Sequence, residues 1–342
     1  MSSLPKTYKA AEIQAVKGKF VIVERPLPEP KEGEVLIKTL ASGVCHSDMV
    51  VVEGWFGVQH PRVPGHEVVG DVVAVGPHEK RWHVGDRVGA GWHGGHCGVC
   101  KSCLRGSFNT CTSQLITGLG ADGGHAEYAL LRTESLLSIP RDMDPADAAP
   151  LLCAGVTVFA SLRKADLYPG DLVAVQGLGG LGHLAVQYAR AMGYKVAALS
   201  QSSAKADLAK DLGAHLYIDA SKEDQCDALK KLGGAKVIVA VAPDAKAISS
   251  LIPALAVDGT LLLLAASGDL MVPTGPLIFG RAKIQGWPTG TPQDEQDTVE
   301  FAQLAGVKAY VEKFPLAQIQ EAYDKMMGNK VRFRAVITPH SQ

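Results

Sequence analysis

Residues 172–287 alternate short apolar, β-branched runs with helical stretches, and this alternation constrains the fold more than any other feature of the chain. The runs predict strands that begin at Leu172, Val196, Leu216, Val237 and Thr260. Helices are predicted between them over 181–192, 204–212, 221–232 and 244–255. Such an alternation is typical of a parallel sheet covered by helices. We therefore expect a doubly wound α/β domain in this half of the chain.

A glycine-rich loop joins the first of these strands to the first helix. It forms a G-x-G-x-x-G motif made of Gly177, Leu178, Gly179, Gly180, Leu181 and Gly182. The motif alone is weak, but its place between a strand and a helix predicts backbone N–H groups that face the pyrophosphate of a dinucleotide. A plain strand-to-helix turn is the alternative. The loop predicts a Rossmann-type cofactor site.

The second predicted strand ends without an acidic residue. An enzyme that uses NAD commonly has a carboxylate there, which binds the ribose 2′-OH. This chain instead has the segment Ser200-Gln201-Ser202-Ser203-Ala204-Lys205. Hydroxyls and a lysine can bind a 2′-phosphate that a carboxylate would repel. We predict that Ser200, Ser202 and Lys205 bind NADP(H); the alternative is NAD(H), with Lys205 a solvated helix residue.

The first 150 residues have a different pattern, with short strand-like runs separated by glycine and proline. They predict an irregular, mostly β domain. After residue 288 we expect a polar loop, helices near 297–304 and over 316–327, and a final strand within FRAVI. This tail has no partner of its own, so we expect it to pack on the first domain. The predicted domains are 1–153 together with 289–342, and 154–288.

Four cysteines lie close together in a glycine-rich stretch with the spacing C-x2-C-x2-C-x7-C: Cys97, Cys100, Cys103 and Cys111. Four thiolates fill the tetrahedral shell of a zinc ion and leave no position for a substrate, so the expected site is structural. Disulfides and an iron–sulfur cluster are the alternatives. Short C-x2-C spacings in a chain with no predicted secretory signal favour a metal over disulfides. An iron–sulfur cluster is the main competitor.

Charge and hydropathy exclude several classes of partner. The 342-residue chain has a formal net charge of −1 and no long Lys/Arg run, which argues against nucleic acid and anionic membranes as partners. Its longest apolar run, Leu261–Ala266, is far too short to span a bilayer, and its first residues are polar. We expect a cytoplasmic protein with reduced cysteines that acts on a small molecule.

Several motifs occur in an order that resembles the zinc-containing medium-chain alcohol dehydrogenases over nearly the whole chain. They are Gly43-Val44-Cys45-His46-Ser47-Asp48, Gly65-His66-Glu67, Gly85-Asp86-Arg87-Val88, the four-cysteine cluster, Cys153 and the glycine loop. The resemblance implies a GroES-like catalytic domain beside the Rossmann domain. It also implies a homodimer or homotetramer.

The resemblance gives three dispersed residues a common role. Taken singly, a lone cysteine or histidine is more often a buried structural residue than a ligand. In the family, the equivalents of Cys45, His66 and Cys153 hold a catalytic zinc. Three protein ligands leave a fourth position for a substrate oxygen, where the ion favours the alkoxide or polarises a carbonyl. The resemblance thus implies two zinc ions per chain.

Neighbours of these ligands also match the family. Ser47 would carry the alcohol proton; the alternative is a loop serine bonded to backbone. Asp48 would orient His66. Glu67 would lie near the metal; the alternative is a buried partner for a basic residue. One departure is Val50, which aligns with a histidine that ends the proton relay in liver- and yeast-type members. No terminal base is therefore assigned.

The family implies further contacts. His46 and Arg334 would reach the pyrophosphate, and Thr157 would lie against the nicotinamide. Trp55 and Trp92 resemble positions that line the alcohol pocket of yeast-type members, although tryptophan is often a core residue. Large aromatics there favour slender substrates.

The predicted activity is hydride transfer between NADP(H) or NAD(H) and a primary alcohol or aldehyde, with aromatic or allylic substrates included. A polyol dehydrogenase is one alternative, but that branch often has glutamate at the position of Cys153. A non-enzymatic NADPH-binding protein is another, but such relatives lack the zinc-binding residues that this chain retains. Fold alone would not separate these functions.

Overall fold

A computed structural model describes residues 4–341, which fall into two compact units. The first unit holds the chain up to Cys153, then Thr289–Gln303 and the chain from Ala309 onward. The second unit holds Ala154–Pro288 and Leu304–Lys308. Each unit is described by itself below.

The strands of both units are numbered in chain order. They are β1 (Thr7–Ile13), β2 (Phe20–Pro26), β3 (Glu34–Val44), β4 (Val68–Val75), β5 (Arg87–Ala90), β6 (His93–Gly95), β7 (Leu115–Ile116), β8 (Tyr128–Arg132), β9 (Leu136–Ser138), β10 (Leu172–Gln176), β11 (Lys195–Ser200), β12 (Leu216–Asp219), β13 (Ala235–Ala240), β14 (Leu255–Leu263), β15 (Lys283–Gly286), β16 (Val311–Pro315) and β17 (Arg334–Thr338).

The α-helices are α1 (Met49–Val52), α2 (Lys101–Leu104), α3 (Pro145–Ala148), α4 (Ala154–Arg163), α5 (Gly182–Ala191), α6 (Ala206–Asp211), α7 (Gln225–Lys231), α8 (Ala245–Leu251), α9 (Thr274–Phe279), α10 (Pro292–Ala305) and α11 (Ile319–Met327). Short 3-10 helices include His46–Asp48, Trp55–Gly57, Ala149–Leu152 and Ser203–Lys205. Within residues 4–341, no single helix has the length and apolar character needed to cross a membrane; the bent pair Pro145–Leu152 and Ala154–Arg163 meets that test when its two parts are counted together.

A six-stranded parallel sheet forms the second unit, in the order β12-β11-β10-β13-β14-β15. The α/β prediction is confirmed, and so are its five predicted strands. Every residue of β10 is buried, as expected for a strand covered on both faces. The sixth strand, β15, was not predicted, because it is short and most of its residues are exposed, so its sequence has no apolar run.

The core of this unit joins strands to helices. Leu229 of α7 and Ile248 of α8 lie in one buried cluster with Ala174 and Ile238 of the sheet. Cys226 of α7 belongs to the same cluster, which confirms the interpretation of the seventh cysteine as a packing residue. Burial of this kind contributes about 25 cal/mol for each Å² of apolar surface removed from water.

A seven-stranded sheet forms the first unit, in the order β16-β17-β3-β4-β5-β9, with β8 also paired to β3. Strand β17 runs antiparallel to β3, so the end of the chain packs on the first domain as predicted. Strands β3 and β4 are antiparallel, and Ser42 near the end of β3 pairs with Val68 at the start of β4. The residues just after β3 and just before β4 therefore lie side by side.

Two predictions for the tail were wrong in detail. Residues 292–296 were predicted as loop, but α10 begins at Pro292. The side chain of Asp294 accepts hydrogen bonds from both the backbone N–H and the hydroxyl of Thr291, at 3.0 and 2.8 Å, while the Asp294 N–H donates to the Thr291 hydroxyl at 3.2 Å. This reciprocal cap is readable as T-x-x-D and marks the helix start. Strand β16 was also not predicted.

Candidate active site

The ends of β3 and β4 bring a cluster of metal-binding side chains together. Cys45 directly follows β3, while His66 and Glu67 directly precede β4. Cys153 follows the 3-10 helix Ala149–Leu152. One ligand atom from each of the four side chains lies within 4.8 Å of every other, so the group could hold a metal ion.

The donor atoms of this cluster fit zinc. Two sulfurs bound to one tetrahedral zinc at about 2.3 Å would lie about 3.8 Å apart. The Sγ atoms of Cys45 and Cys153 are 3.8 Å apart. Both ring nitrogens of His66 are buried without a hydrogen-bond partner, but Nδ1 lies 3.5 Å from a carboxylate oxygen of Asp48, which leaves Nε2 as the nitrogen free to bind a metal. Two thiols and one imidazole match the ligand set of zinc alcohol dehydrogenases.

The two thiols differ in acidity. The hydrogen bond with Cys153 lowers the pKa of Cys45 well below its ordinary value, although burial opposes this shift. The same contact, together with burial, raises the pKa of Cys153. The shared hydrogen bond therefore favours the loss of one proton from the pair, and a thiolate can bind a cation.

Asp48 holds the histidine of the cluster. Its Oδ1 lies 3.5 Å from Nδ1 of His66, and its Oδ2 accepts the backbone N–H of Cys45 at 2.9 Å. Burial alone would raise the pKa of Asp48, but His125 and His66 lower it below its ordinary value. Asp48 is thus an ionised acceptor, which keeps the proton of His66 on Nδ1 and leaves Nε2 free for a metal.

Glu67 forms a buried ion pair with Arg334, whose guanidinium also donates to the Val44 carbonyl at 3.4 Å. Burial raises the pKa of Glu67 to about 7, although Arg334 lowers it. A Cβ at Gly43 would overlap the Glu67 carboxylate, so the backbone of β3 gives this side chain its space. The structure therefore places Arg334 beside the cluster; its predicted contact with a pyrophosphate stays a prediction.

The short helix after Cys45 carries Ser47, the predicted carrier of the alcohol proton, and His46, the predicted pyrophosphate contact. His46 is exposed and Ser47 is partly exposed within the 3-10 helix His46–Asp48. Val50, which aligns with the relay histidine of relatives, lies in a buried apolar cluster and offers no proton acceptor.

The two tryptophans predicted to line a substrate pocket have different surroundings. The ring of Trp92 meets the ring of His66 edge to face, with centroids 4.9 Å apart. Trp55 lies in a 3-10 helix and is 48% exposed. Of these two tryptophans, Trp92 is the one whose ring packs against a residue of the cluster.

The four cysteines of the C-x2-C-x2-C-x7-C motif lie together in the loop around α2. Their closest Sγ···Sγ separations are 3.5 to 4.0 Å, and all the ligand atoms fall within 4.8 Å of one another. Tetrahedral zinc again requires about 3.8 Å. Backbone N–H groups, chiefly that of Cys103, lower the pKa of the Cys100 thiol to about 5. The cysteines of the described chain are all free thiols, so the disulfide alternative is not seen.

The glycine loop lies between β10 and α5, as predicted. Gly177 has a φ of +96°, which strongly favours glycine. A Cβ at Gly182 would overlap the carbonyl oxygen of Gly177, whereas no atom lies within 4 Å of a Cβ at Gly179. Gly179 therefore leaves open space where a phosphate could approach. Thr157 is buried within α4, and no described contact tests its predicted nicotinamide role.

The residues predicted to select the cofactor follow β11. Ser202 and Lys205 are exposed and Ser200 is partly buried. Nζ of Lys205 donates to the carbonyl of Leu178 in the glycine loop at 2.7 Å. Sequence reasoning missed Asp219, a buried carboxylate at the end of the neighbouring strand, which pairs in register with Ser200. Strand pairing was needed to find it.

Glu295 is a second residue that the sequence did not reveal. It lies on α10 in the first unit, is 0% exposed, and neither carboxylate oxygen has a hydrogen-bond partner. A Cβ at Gly91 would overlap one of these oxygens, so a glycine makes room for the carboxyl group. The polar segment PQDEQD gives no sign of this burial.

We expect Glu295→Gln to stabilise the protein at high pH. Burial raises the pKa of Glu295 well above its ordinary value, so the folded protein keeps a proton that the unfolded chain releases above about pH 4.3. The contribution of Glu295 to the free energy of unfolding is therefore fully present below that pH, and it is lost as the pH rises toward the pKa of the folded state. Thermal unfolding should show a gain of roughly 1–3 kcal/mol at about pH 8 and little gain at about pH 4. The exposed Glu300→Gln on the same helix is the control; an equal shift at both pH values would contradict the expectation.

The fold and the site together define a class of protein. A parallel sheet with a glycine-rich nucleotide loop and a β-rich unit with a cysteine–histidine centre are the components of a zinc-type dehydrogenase that uses NAD(P). Residues 31–141 match the family model "Alcohol dehydrogenase GroES-like domain", and residues 180–304 match "Zinc-binding dehydrogenase". The chain belongs to the zinc-containing medium-chain alcohol dehydrogenase family and is an alcohol dehydrogenase.

Individual relatives are similar to this chain over almost its full length. The chain is 47% identical to the alcohol dehydrogenase patD of Penicillium expansum over 337 residues, which are 98% of this chain and 99% of the relative. A solved structure of a cinnamyl alcohol dehydrogenase from Sorghum bicolor matches with a TM-score of 0.88 and 31% identity, covering 97% and 98% of the two chains. The acetophenone reductase of Geotrichum candidum in complex with NAD matches with a TM-score of 0.86 and 26% identity, covering 98% of each chain.

Proposed function

We propose that this alcohol dehydrogenase interconverts primary alcohols and aldehydes, prefers NADP(H), and holds two zinc ions per chain. The observation that carries the proposal is the convergence of Cys45, His66 and Cys153 with an unpartnered Nε2 on His66. When bound there, zinc would supply a Lewis acid with a fourth position open to the substrate oxygen. We assign catalysis to the domain of residues 1–153 and 289–342, and dinucleotide binding to residues 154–288.

The residues around the centre divide the remaining work. The Ser47 hydroxyl adjoins Cys45 and can accept the alcohol proton while donating its own. Val50 cannot extend this route, because it lies in an apolar cluster, so a proton that leaves Ser47 would have to pass to water or to a hydroxyl of the bound cofactor. Asp48 fixes the orientation of His66. Arg334 balances the charge of Glu67 in a site that excludes water.

We assign the second zinc to the four-thiol loop. The separations of 3.5 to 4.0 Å between Cys97, Cys100, Cys103 and Cys111 leave room for one ion among the sulfurs and favour zinc over an iron–sulfur cluster. Four thiolates leave no open position, so this ion would stabilise the loop and take no part in the reaction.

We propose that Trp92 shapes the substrate site. Its ring packs against that of His66, so a substrate oxygen at the metal centre would have the indole nearby. A flat aromatic wall favours slender, allylic or aromatic aldehydes. Trp55 is largely exposed, and its pocket role rests on the family resemblance alone.

The preference for NADP(H) rests on the segment after β11. Ser200, Ser202 and Lys205 offer two hydroxyls and a cation to a 2′-phosphate, and the Lys205 ammonium already lies against the glycine loop. Asp219 on the neighbouring strand is the feature that argues for NAD(H), but its Oδ1 already accepts from the hydroxyl of Ser221 at 2.7 Å.

We expect Lys205→Glu to lower kcat/KM for NADPH by roughly 10- to 100-fold, because a charge-assisted hydrogen bond to phosphate contributes about 1.5–3 kcal/mol. The value for NADH should change by less than about threefold. Lys210→Glu places the same charge change on α6, away from the glycine-loop contact, and is the matched control. Equal losses with both cofactors would contradict the proposed 2′-phosphate contact.

Steady-state rates with NADPH and NADH against a panel of aldehydes, ketones and polyols test the proposed function. The expected result is highest kcat/KM for an aldehyde with NADPH. Highest activity on polyols would support the polyol dehydrogenase alternative. NADPH binding with no turnover of any substrate would indicate a non-enzymatic protein and contradict the proposal.

We further propose that the protein acts in the cytoplasm as a homodimer or homotetramer. The two clusters of metal-binding thiols support a reducing compartment, since free thiols persist there. The assembly follows from the family resemblance, and analytical ultracentrifugation measures it; a monomer at micromolar concentration would contradict it.

A further inference from the structure

Behind the metal centre, Asp48 continues into a buried series of polar side chains, of which the proposed mechanism uses neither His125 nor Ser42. Oγ of Ser42 is 2.9 Å from Nδ1 of His125, and Nε2 of His125 is 3.3 Å from Oδ2 of Asp48. Oδ1 of Asp48 in turn lies 3.5 Å from Nδ1 of His66. All four side chains are 0% exposed. The series therefore ends at the metal centre on one side and in the protein interior on the other.

This arrangement of serine, histidine and aspartate resembles a hydrolase triad, but it cannot act as one. A nucleophilic serine must meet a substrate carbonyl, whereas Ser42 lies within β3 and is completely buried. No substrate could reach its hydroxyl. This series of polar side chains must therefore act at its other end, on Asp48 and on the histidine that Asp48 orients.

The chemistry of each group sets the direction of the hydrogen bonds. An ionised carboxylate can only accept, so Nε2 of His125 donates to Asp48. When the ring proton of His125 is on Nε2, Nδ1 can accept, and the Ser42 hydroxyl is the donor placed there. Oδ2 of Asp48 then receives two donors, the ring of His125 and the backbone N–H of Cys45.

We propose that His125 is a positioning residue for the metal centre, which together with Ser42 holds the Asp48 carboxylate against His66 and so keeps Nε2 of His66 directed at the ion. This inference rests on the proposed function, because it assumes that Cys45, His66 and Cys153 hold a metal. Without His125, Oδ2 keeps only the Cys45 N–H, and the carboxylate can turn away from His66. Partners of this kind typically change metal affinity by roughly 10- to 100-fold.

The surrounding backbone is shaped to hold this ring. A Cβ at Gly65 would lie 2.8 Å from both the backbone nitrogen and Nδ1 of His125, so the glycine before His66 leaves room for the imidazole. The ring of Phe20 meets the imidazole edge to face with centroids 6.0 Å apart. Phe20 thus touches His125 without belonging to the polar chain and provides a matched control.

The test measures zinc transfer from the holoenzyme to a chromogenic chelator, with the four-thiol zinc as an internal reference. In His125→Phe, the zinc of the Cys45 centre should leave roughly tenfold faster than in the wild type, while release of the four-thiol zinc is unchanged. His125→Gln, which keeps one N–H donor, should recover most of the wild-type rate. Ser42→Ala should shift the rate in the same direction by less, and Phe20→Leu should not shift it selectively.

A second readout is independent of zinc release. Long-range nitrogen–proton NMR of the wild-type holoenzyme should show His125 with its proton on Nε2 and none on Nδ1. If His125→Phe does not fold, His125→Gln, Ser42→Ala and this spectrum decide the matter.

The possible outcomes distinguish a failure of the proposed function from a failure of the inference about His125. A wild-type protein with no zinc at the Cys45 centre contradicts the proposed function and this inference with it. Zinc that is present but leaves the wild type and His125→Phe at the same rate overturns the inference alone. An equal acceleration of both zinc ions would indicate general loosening of the fold and would also overturn it.

Discussion

Replacing Cys45 by serine is expected to lower kcat for aldehyde reduction by roughly 10³-fold or more and to reduce the zinc content from two ions per chain to one. The hydroxyl is a poor zinc ligand, and the ion supplies several kcal/mol of stabilisation to the developing charge, where about 4 kcal/mol corresponds to 10³-fold. Turnover and metal content are measured on the same purified sample.

Cys226→Ser is the matched control for this variant. Cys226 is also a buried free cysteine, but it lies in the apolar cluster of the second unit. Its replacement should leave both the zinc content and kcat within about twofold of the wild type. If Cys45→Ser kept two zinc ions and normal turnover, Cys45 would not be a ligand of the catalytic metal.

Replacing Glu67 by leucine is expected to destabilise the protein by about 3–5 kcal/mol. The Arg334 guanidinium would remain buried with the Val44 carbonyl as its one partner left from the described contacts. A buried charge without a counter-charge is far more costly than a buried ion pair. The loss of stability in Glu67→Leu therefore comes from the unpaired guanidinium of Arg334. Urea unfolding of the zinc-loaded protein gives the difference in free energy.

The double variant Glu67→Leu with Arg334→Met tests this reason directly. Removing both charges should recover most of the stability lost in Glu67→Leu, because no unpaired group is then buried. Equal stability of the single and double variants would show that the ion pair does not account for the loss.

The main parts of the fold and of the candidate site could be predicted from the sequence because their residues lie in contiguous motifs. The strands of the parallel sheet are continuous apolar runs, and the glycine loop lies between a strand and a helix. Cys45 and His66 are 21 positions apart, but each sits in a recognisable motif at an end of two paired strands. Each motif alone was weak evidence, and the resemblance to the family predicted that the two residues share a metal site.

Other residues of the site could not be predicted because their burial and their contacts arise only in the folded chain. His125 lies in the polar segment DGGHAEY, and only the folded chain places its ring against Asp48. Glu295 belongs to a polar segment that was predicted as a loop, yet its carboxyl group is completely buried. Asp219 gained its relevance from pairing with Ser200 on the next strand.

The role of zinc in the reaction is tested most directly by following zinc content and NADPH-dependent aldehyde reduction together while the wild-type enzyme is exposed to a chelator. We expect two zinc ions per chain at the start and a loss of activity proportional to release of the ion bound by Cys45, His66 and Cys153. Activity that persists after this ion has left, or full activity in a protein that begins with one zinc or none, would contradict it.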